Sequence, residues 1–153
     1  MKFLIAILAL LAPAAVSAAD SVSLSSQVLV EKVKTGADGK PVTVREEPAV
    51  VTPGDKLVFL LRYKNGGAAP ATGFTLTNPI PSAVAYAGSA DSGASVSVDG
   101  GKSWGALASL KVAQADGTFR PATAADVTHI RWSFAQAIAP GATGELSFRG
   151  TVK

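Results

Sequence analysis

An antiparallel β-sandwich of about nine or ten short strands is predicted for this chain, on three observations. Apolar and polar residues alternate in runs of four to ten over most of its length. The 15 Gly and 9 Pro fall largely between those runs, in pairs that make tight turns. Beyond residue 18, no apolar stripe with helical period persists for ten residues.

Taken in order, Ser21 to Thr35 sets Val22, Leu24, Val28 and Val30 on one parity, with polar residues between them, and predicts a long strand. Gly36 to Lys40 is a loop, and Pro41 to Glu46 alternates Val42 and Val44 after it, so the two runs form a hairpin. In Thr52-Pro53-Gly54-Asp55, proline presets the first central φ of a type II turn and glycine supplies the positive second one. The run from Lys56 to Lys64 carries Leu57, Phe59, Leu61 and Tyr63 on one side, and Val58, Leu60, Arg62 and Lys64 on the other. Its first half is apolar on both faces, as a central strand requires.

Asn65 to Pro70 is a loop and Phe74 to Thr77 a strand; Pro79 and Pro81 then forbid a regular central strand from Asn78 to Ser82. Val84 to Tyr86 is extended, and Ala87 to Ala94 is a Gly/Ser/Ala-rich crossing. Ser95 to Asp99 and Trp104 to Leu107 flank a tight turn, as Leu110 to Val112 and Thr118 to Phe119 flank Asp116-Gly117. One helical turn is expected at Thr123 to Asp126, followed by a strand with Ile130, Trp132 and Phe134 inside. Pro140-Gly141 repeats the earlier turn, and Leu146, Phe148, Gly150 and Val152 mark the last strand.

Residues 1–18 read as a signal peptide. Lys2 supplies the positive start, Phe3 to Leu11 the apolar run, and Val16-Ser17-Ala18 the small-residue cleavage site, with cutting after Ala18 or Ala19. The apolar run is too short to be a stable membrane anchor. Residues 19–153 are then one domain, exported to the periplasm or the exterior. With the first 18 residues removed, 135 remain with a net charge of +2. Such a chain can bury a core unaided and is too weakly basic for a nucleic-acid footprint. It contains no Cys, which excludes disulfides, thiol catalysis and Cys-ligated metal.

The residues Val51-Thr52-Pro53-Gly54-Asp55, Leu61 to Gly67, Phe74 to Pro81 and Val84 to Ser89 follow one another in a specific order. Over roughly residues 50–90 this resembles the conserved repeat domain of unknown function found in bacterial surface and secreted proteins; Asn78 stands where many members carry Asp. The resemblance implies an immunoglobulin-like sandwich with a non-catalytic role, and it supplies no catalytic residues. Separately, Ser97-Val98-Asp99-Gly100-Gly101-Lys102-Ser103-Trp104 resembles the Asp-box hairpin of secreted β-proteins. Asp99 is expected to bond main-chain N–H groups across the turn, Gly101 to adopt positive φ, Ser103 to fasten the turn, and Trp104 to fold over the hairpin base. The motif occurs once in a domain too small for a propeller, which excludes a sialidase.

No catalytic, cofactor-binding or metal-ligating residues are assigned. His129 is the only histidine and lies by parity on the wetter face of its strand beside Arg131. No G-x-S-x-G elbow is present to build a nucleophile. Among the carboxylates Glu46, Glu47, Asp55, Asp91, Asp116, Asp126 and Glu145, several are explained by turns, and Glu46 and Glu47 point to opposite faces. Lys32, Lys34, Arg62, Lys64, Arg131 and Arg149 are expected on solvated faces. Asn65 and Asn78 sit at strand ends, poorly placed for a Lys–Asn isopeptide bond.

The expected function is that of an exported, monomeric, non-enzymatic module with a structural or protein-binding role at the bacterial envelope, its partner a protein or envelope component. The alternatives are a filament or assembly subunit that uses its long first strand for strand addition, and a small secreted hydrolase built on His129 or a carboxylate pair.

Overall fold

The computed structural model describes residues 21–153. The signal peptide and both of its cleavage positions lie outside the described residues. Ten strands make up the described part of the chain: β1 (Val22–Thr35), β2 (Pro41–Glu46), β3 (Lys56–Asn65), β4 (Thr75–Pro79), β5 (Val84–Tyr86), β6 (Ala94–Ser97), β7 (Lys111–Ala113), β8 (Phe119–Pro121), β9 (His129–Ser133) and β10 (Thr143–Val152). All pairings between them are antiparallel. One sheet has the order β2-β1-β3-β10-β5, a second the order β4-β9-β6, and β7 and β8 form a separate hairpin. Single turns of 3-10 helix occur at Leu107–Ser109 and Ala124–Asp126.

The two larger sheets share one core, as a β-sandwich requires. Phe59 and Phe148, opposite each other on β3 and β10, stack with centroids 4.4 Å apart. Trp132 of β9 meets Phe148 at 6.2 Å, and Tyr63 of β3 meets Phe134 edge-on at 5.0 Å. Val30, Leu57, Leu61, Leu76, Val96 and Ile130 complete the buried cluster. Trp132 is 1% exposed, the core position its parity predicts, and its indole N–H has no partner among the described residues.

β3 is buried on both faces at Leu57 to Leu61, between β1 and β10, which is the central position predicted from its double apolar face. Both Pro-Gly turns form: Gly54 has φ 92° and Gly141 φ 74°, with Asp55 N–H bonded to Thr52 O and Ala142 N–H to Ala139 O. Gly144 is glycine for a different reason, since a Cβ there would collide with the ring of Tyr63 across the sheet.

β4 extends two residues past the predicted Thr77, through Asn78 to Pro79, and is an edge strand as the prolines require, since Pro79 needs no outward donor. One local expectation is corrected. The segment after the Asp-box turn returns as a single bridge, Val96 to Gly105, and then as a 3-10 turn rather than a strand. β1 is built into the core at its middle, where Val30 is 2% exposed and Val28 packs on the buried cluster.

Candidate functional site

The main-chain hydrogen bonds of β1 change partner midway. Gly66 N–H donates to Ser21 O at 2.9 Å, which sets the alternation: odd-numbered residues of β1 direct their main-chain groups at β3 and even-numbered ones away. At the far end Gly36 N–H donates to Lys40 O at 2.8 Å, so the even-numbered residues there face β2. β2 takes up Val30, Lys32 and Lys34, and its pairing stops at Val30 opposite Glu46. The following residues, Glu47 and Pro48, leave the ladder; Glu47 accepts a bond from Gln27 Nε2 at 3.1 Å. Val22, Leu24, Ser26 and Val28 are left with outward N–H and C=O groups that have no partner among the described residues.

This open edge borders a gap between the sheets. The gap is lined by Leu24, Ser26, Leu61, Leu76, Thr77 and Asn78, with core residues at its base. Leu24 is 56% exposed although its parity is that of the core. The start of the edge is pinned by Asn65, which is fully buried. Its Oδ1 accepts from Ser21 Oγ and from Gly67 N–H, and its Nδ2 donates to Ala69 O and to Ile138 O at 2.8 Å. A side chain read from sequence as a loop residue is thus the polar pin of the sheet end.

The opposite edge of the same sheet is closed by side chains. Ser147 of β10 gives its N–H to Asp91 Oδ2 at 2.7 Å and receives Ser89 Oγ–H on its carbonyl at 2.7 Å. Arg149 exchanges main-chain bonds with Ala87 and Gly88, and Thr151 pairs with Ala85 of β5.

The turn from Ser97 to Trp104 forms the Asp99 and Ser103 bonds expected of it. Asp99 accepts from Ser103 Oγ at 2.6 Å, from the N–H groups of Lys102 and Ser103, and from Ser97 Oγ. The Ser103 hydroxyl, then the Ser103 N–H and the Ser97 hydroxyl, hold its carboxyl far below the usual range. Gly100 and Gly101 have φ 78° and 90°, and Trp104 Nε1 donates to Gly101 O at 3.0 Å. The indole of Trp104 is half-buried beneath Arg131, whose guanidinium carbon lies 4.2 Å from the ring centroid. Arg131 is therefore a packing residue with a shielded Nε, and not the freely solvated cation expected.

His129 stands edge-on to Trp104 at 6.4 Å, with Nδ1 3.1 Å from the Thr128 hydroxyl. The carboxylates are dispersed among structural bonds. Asp55 closes its turn on the Thr52 N–H and meets Lys32; the Thr52 bond, followed by Lys32, lowers its pKa. Asp126 caps Thr123 and forks onto Arg120 at 2.6 and 2.7 Å, with Arg120 the first cause of its strongly lowered pKa. Asp116 fastens the Thr118 turn, Glu145 pairs with Arg62, and Glu46 with Lys34. Glu31 holds Arg45 and Arg149; burial raises its pKa, but bonds from Arg149 and Arg45 outweigh this and lower it. Among the described residues no three of His, Asp or Glu gather where a metal ion could be held.

No family model matches the chain, and no curated protein or solved structure matches it.

Proposed function

We propose that this chain is an exported, immunoglobulin-like module of the bacterial envelope, with a structural or protein-binding role and no catalytic one. The observation that carries this reading is the bare edge of β1, where four residues offer main-chain donors and acceptors to a strand from outside. The polar chemistry supports it too, since Asp91, Asp99 and Asp126 each hold a turn or a strand. The basic start, apolar run and Ala18 cleavage site support export.

Cell fractionation of the chain carrying a C-terminal epitope tag tests this reading. The expected result is a product shortened by 18 or 19 residues in the periplasm or medium. Full-length protein held in the cytoplasm overturns it, as does turnover of an ester, glycan or peptide by the purified chain.

A second reading, an assembly subunit, is favoured by the same edge. Because β1 is already paired with β3 in its own domain, it acts there as the strand that receives and not as a free donor.

A further inference from the structure

We infer that the open edge of β1 is a self-pairing surface, on which a second copy of this chain adds its own β1 antiparallel about a two-fold axis through Ser25. This inference rests on reading the edge as a protein-binding surface, and it names the occupant.

Sheet edges in soluble proteins are guarded by proline, charge, shortness or cover. Every other edge among the described residues follows that rule. β2 begins with Pro41 and carries Arg45 and Glu46, β4 ends in Pro79, and β5, β7 and β8 have three residues each. β6 is covered by the bridge to Gly105, and β10 by Asp91 and Ser89. Residues 22–28, Val-Ser-Leu-Ser-Ser-Gln-Val, hold no charge, no proline and no glycine. This stretch is the exception.

The geometry selects the register. The open stretch is bounded at one end by the β2 pairing at Val30 and at the other by the Asn65 pin on Ser21. Its midpoint is Ser25. An antiparallel copy centred there sets Val22 against Val28 and Leu24 against Ser26, so all four outward-facing residues meet as hydrogen-bonded pairs. Moving the centre to Ser26 sets Val22 against Val30, which β2 already pairs, and moving it to Leu24 leaves Val28 with no partner among the described residues. Valine faces valine on the core parity, and the half-exposed Leu24 gains diagonal contact with Leu24 and Val28 of the other copy. No like charges oppose each other. Ser25 faces its own copy as a non-hydrogen-bonded pair, where Cα atoms lie about 4.5 Å apart.

That placement permits a direct test, because the chain has no native cysteine. Ser25→Cys in the chain as the cell exports it brings two thiols within disulfide reach. Copper phenanthroline as oxidant then removes two electrons and two protons to form the intermolecular bond. Ser23→Cys faces position 27 of the other copy, and its thiols stand on the order of 13 Å apart along the strands, out of reach.

The expected result is a mass by sedimentation that rises toward twice the monomer with concentration, together with cross-linking of the Ser25→Cys variant and not of the Ser23→Cys variant. Ser26→Pro should abolish both effects, because position 26 directs its N–H outward and no β3 bond is lost. Circular dichroism of that variant should be unchanged. A chain that stays monomeric to about 1 mM overturns the inference. So does a dimer that survives Ser26→Pro or that cross-links through Ser23→Cys. Cross-linking of the Ser25→Cys variant only to a different protein overturns the second copy as occupant and leaves the proposed function standing; failed export removes that function whatever the dimer does.

Discussion

Beyond β10, the outer edge of the five-stranded sheet is finished by side chains: Asp91 takes the N–H of Ser147, Ser89 serves its carbonyl, and a short β5 completes the margin. Beyond β1, the opposite edge is finished only over its second half, where β2 pairs as far as Val30. The first half has nothing across it among the described residues. Both edges bear the same alternation of backbone groups, so the difference lies in the neighbouring sequence. The Gly/Ser/Ala-rich crossing lets Ser89 and Asp91 fold back as substitutes for a strand. Pro48, two residues past the last β2 pair, has no N–H with which to extend that pairing toward Val28. A sheet can therefore be closed on one side and receptive on the other without any change in strand type.

The largest expected effect concerns the core that both edges share. Trp132→Ala should lower stability by about 3–5 kcal/mol in denaturant unfolding. Trp104→Ala should cost less, because that ring is only half-buried on its hairpin; equal losses would contradict the assignment of the two tryptophans.

Next comes the pin of the open edge. Asn65→Leu leaves the carbonyl of Ala69 and the N–H of Gly67 without partners and takes one of two donors from the carbonyl of Ile138, which keeps the N–H of Ala71, at a cost of about 3 kcal/mol. Loss of protection should begin at residues 21–24 in hydrogen exchange, and uniform loss across the sheet would argue against the pin.

The alternation within β1 is sharpened by adjacent prolines. Ser25→Pro removes a donor to β3 and should cost about 2 kcal/mol or more, while Ser26→Pro removes an unpaired donor and should cost less than about 1 kcal/mol. On the closed side, Asp91→Ala should cost about 1–2 kcal/mol by leaving Ser147 N–H unpaired. If Asp91→Ala changes neither stability nor association, the plug is not what closes that edge.

Acid gives the smallest effect near neutrality. Asp99, Asp126, Asp55 and Asp116 all have folded-state pKa values below their unfolded ones. Their contribution is complete above the ordinary carboxylate value near pH 4 and is lost as pH falls through the lower folded values. Melting temperature should therefore be flat in these groups from about pH 7 to 5 and decline below about pH 4. Asp126→Asn should flatten part of that decline.

Much of the fold was legible because its signals are local. Alternation placed β3 and β9, the Pro53-Gly54 and Pro140-Gly141 pairs placed their turns, and the spacing from Ser97 to Trp104 placed the Asp99 and Ser103 bonds and the positive φ of Gly101. The candidate site was mostly hidden, because it depends on which strands become neighbours. Nothing in Ser21 to Thr35 states that β2 covers only its second half. Asn65 reads as a turn residue, since its four side-chain bonds involve Ser21, Gly67, Ala69 and Ile138, two of them distant in sequence. Asp91 likewise reads as part of a loop, because Ser147 lies on the last strand. One signal was available: residues 22–28 form a long, uncharged, proline-free strand, which an unguarded edge would also show.

Residue-resolved amide exchange of β1, measured by NMR at low and high protein concentration, tests the open edge most directly. In dilute solution Ser23, Ser25, Gln27 and Leu29 should be protected by β3, while Leu24, Ser26 and Val28 exchange rapidly; at high concentration the second group should become protected as well. Equal protection of odd and even residues in dilute solution would mean that the edge is already covered, and no receptive strand would remain.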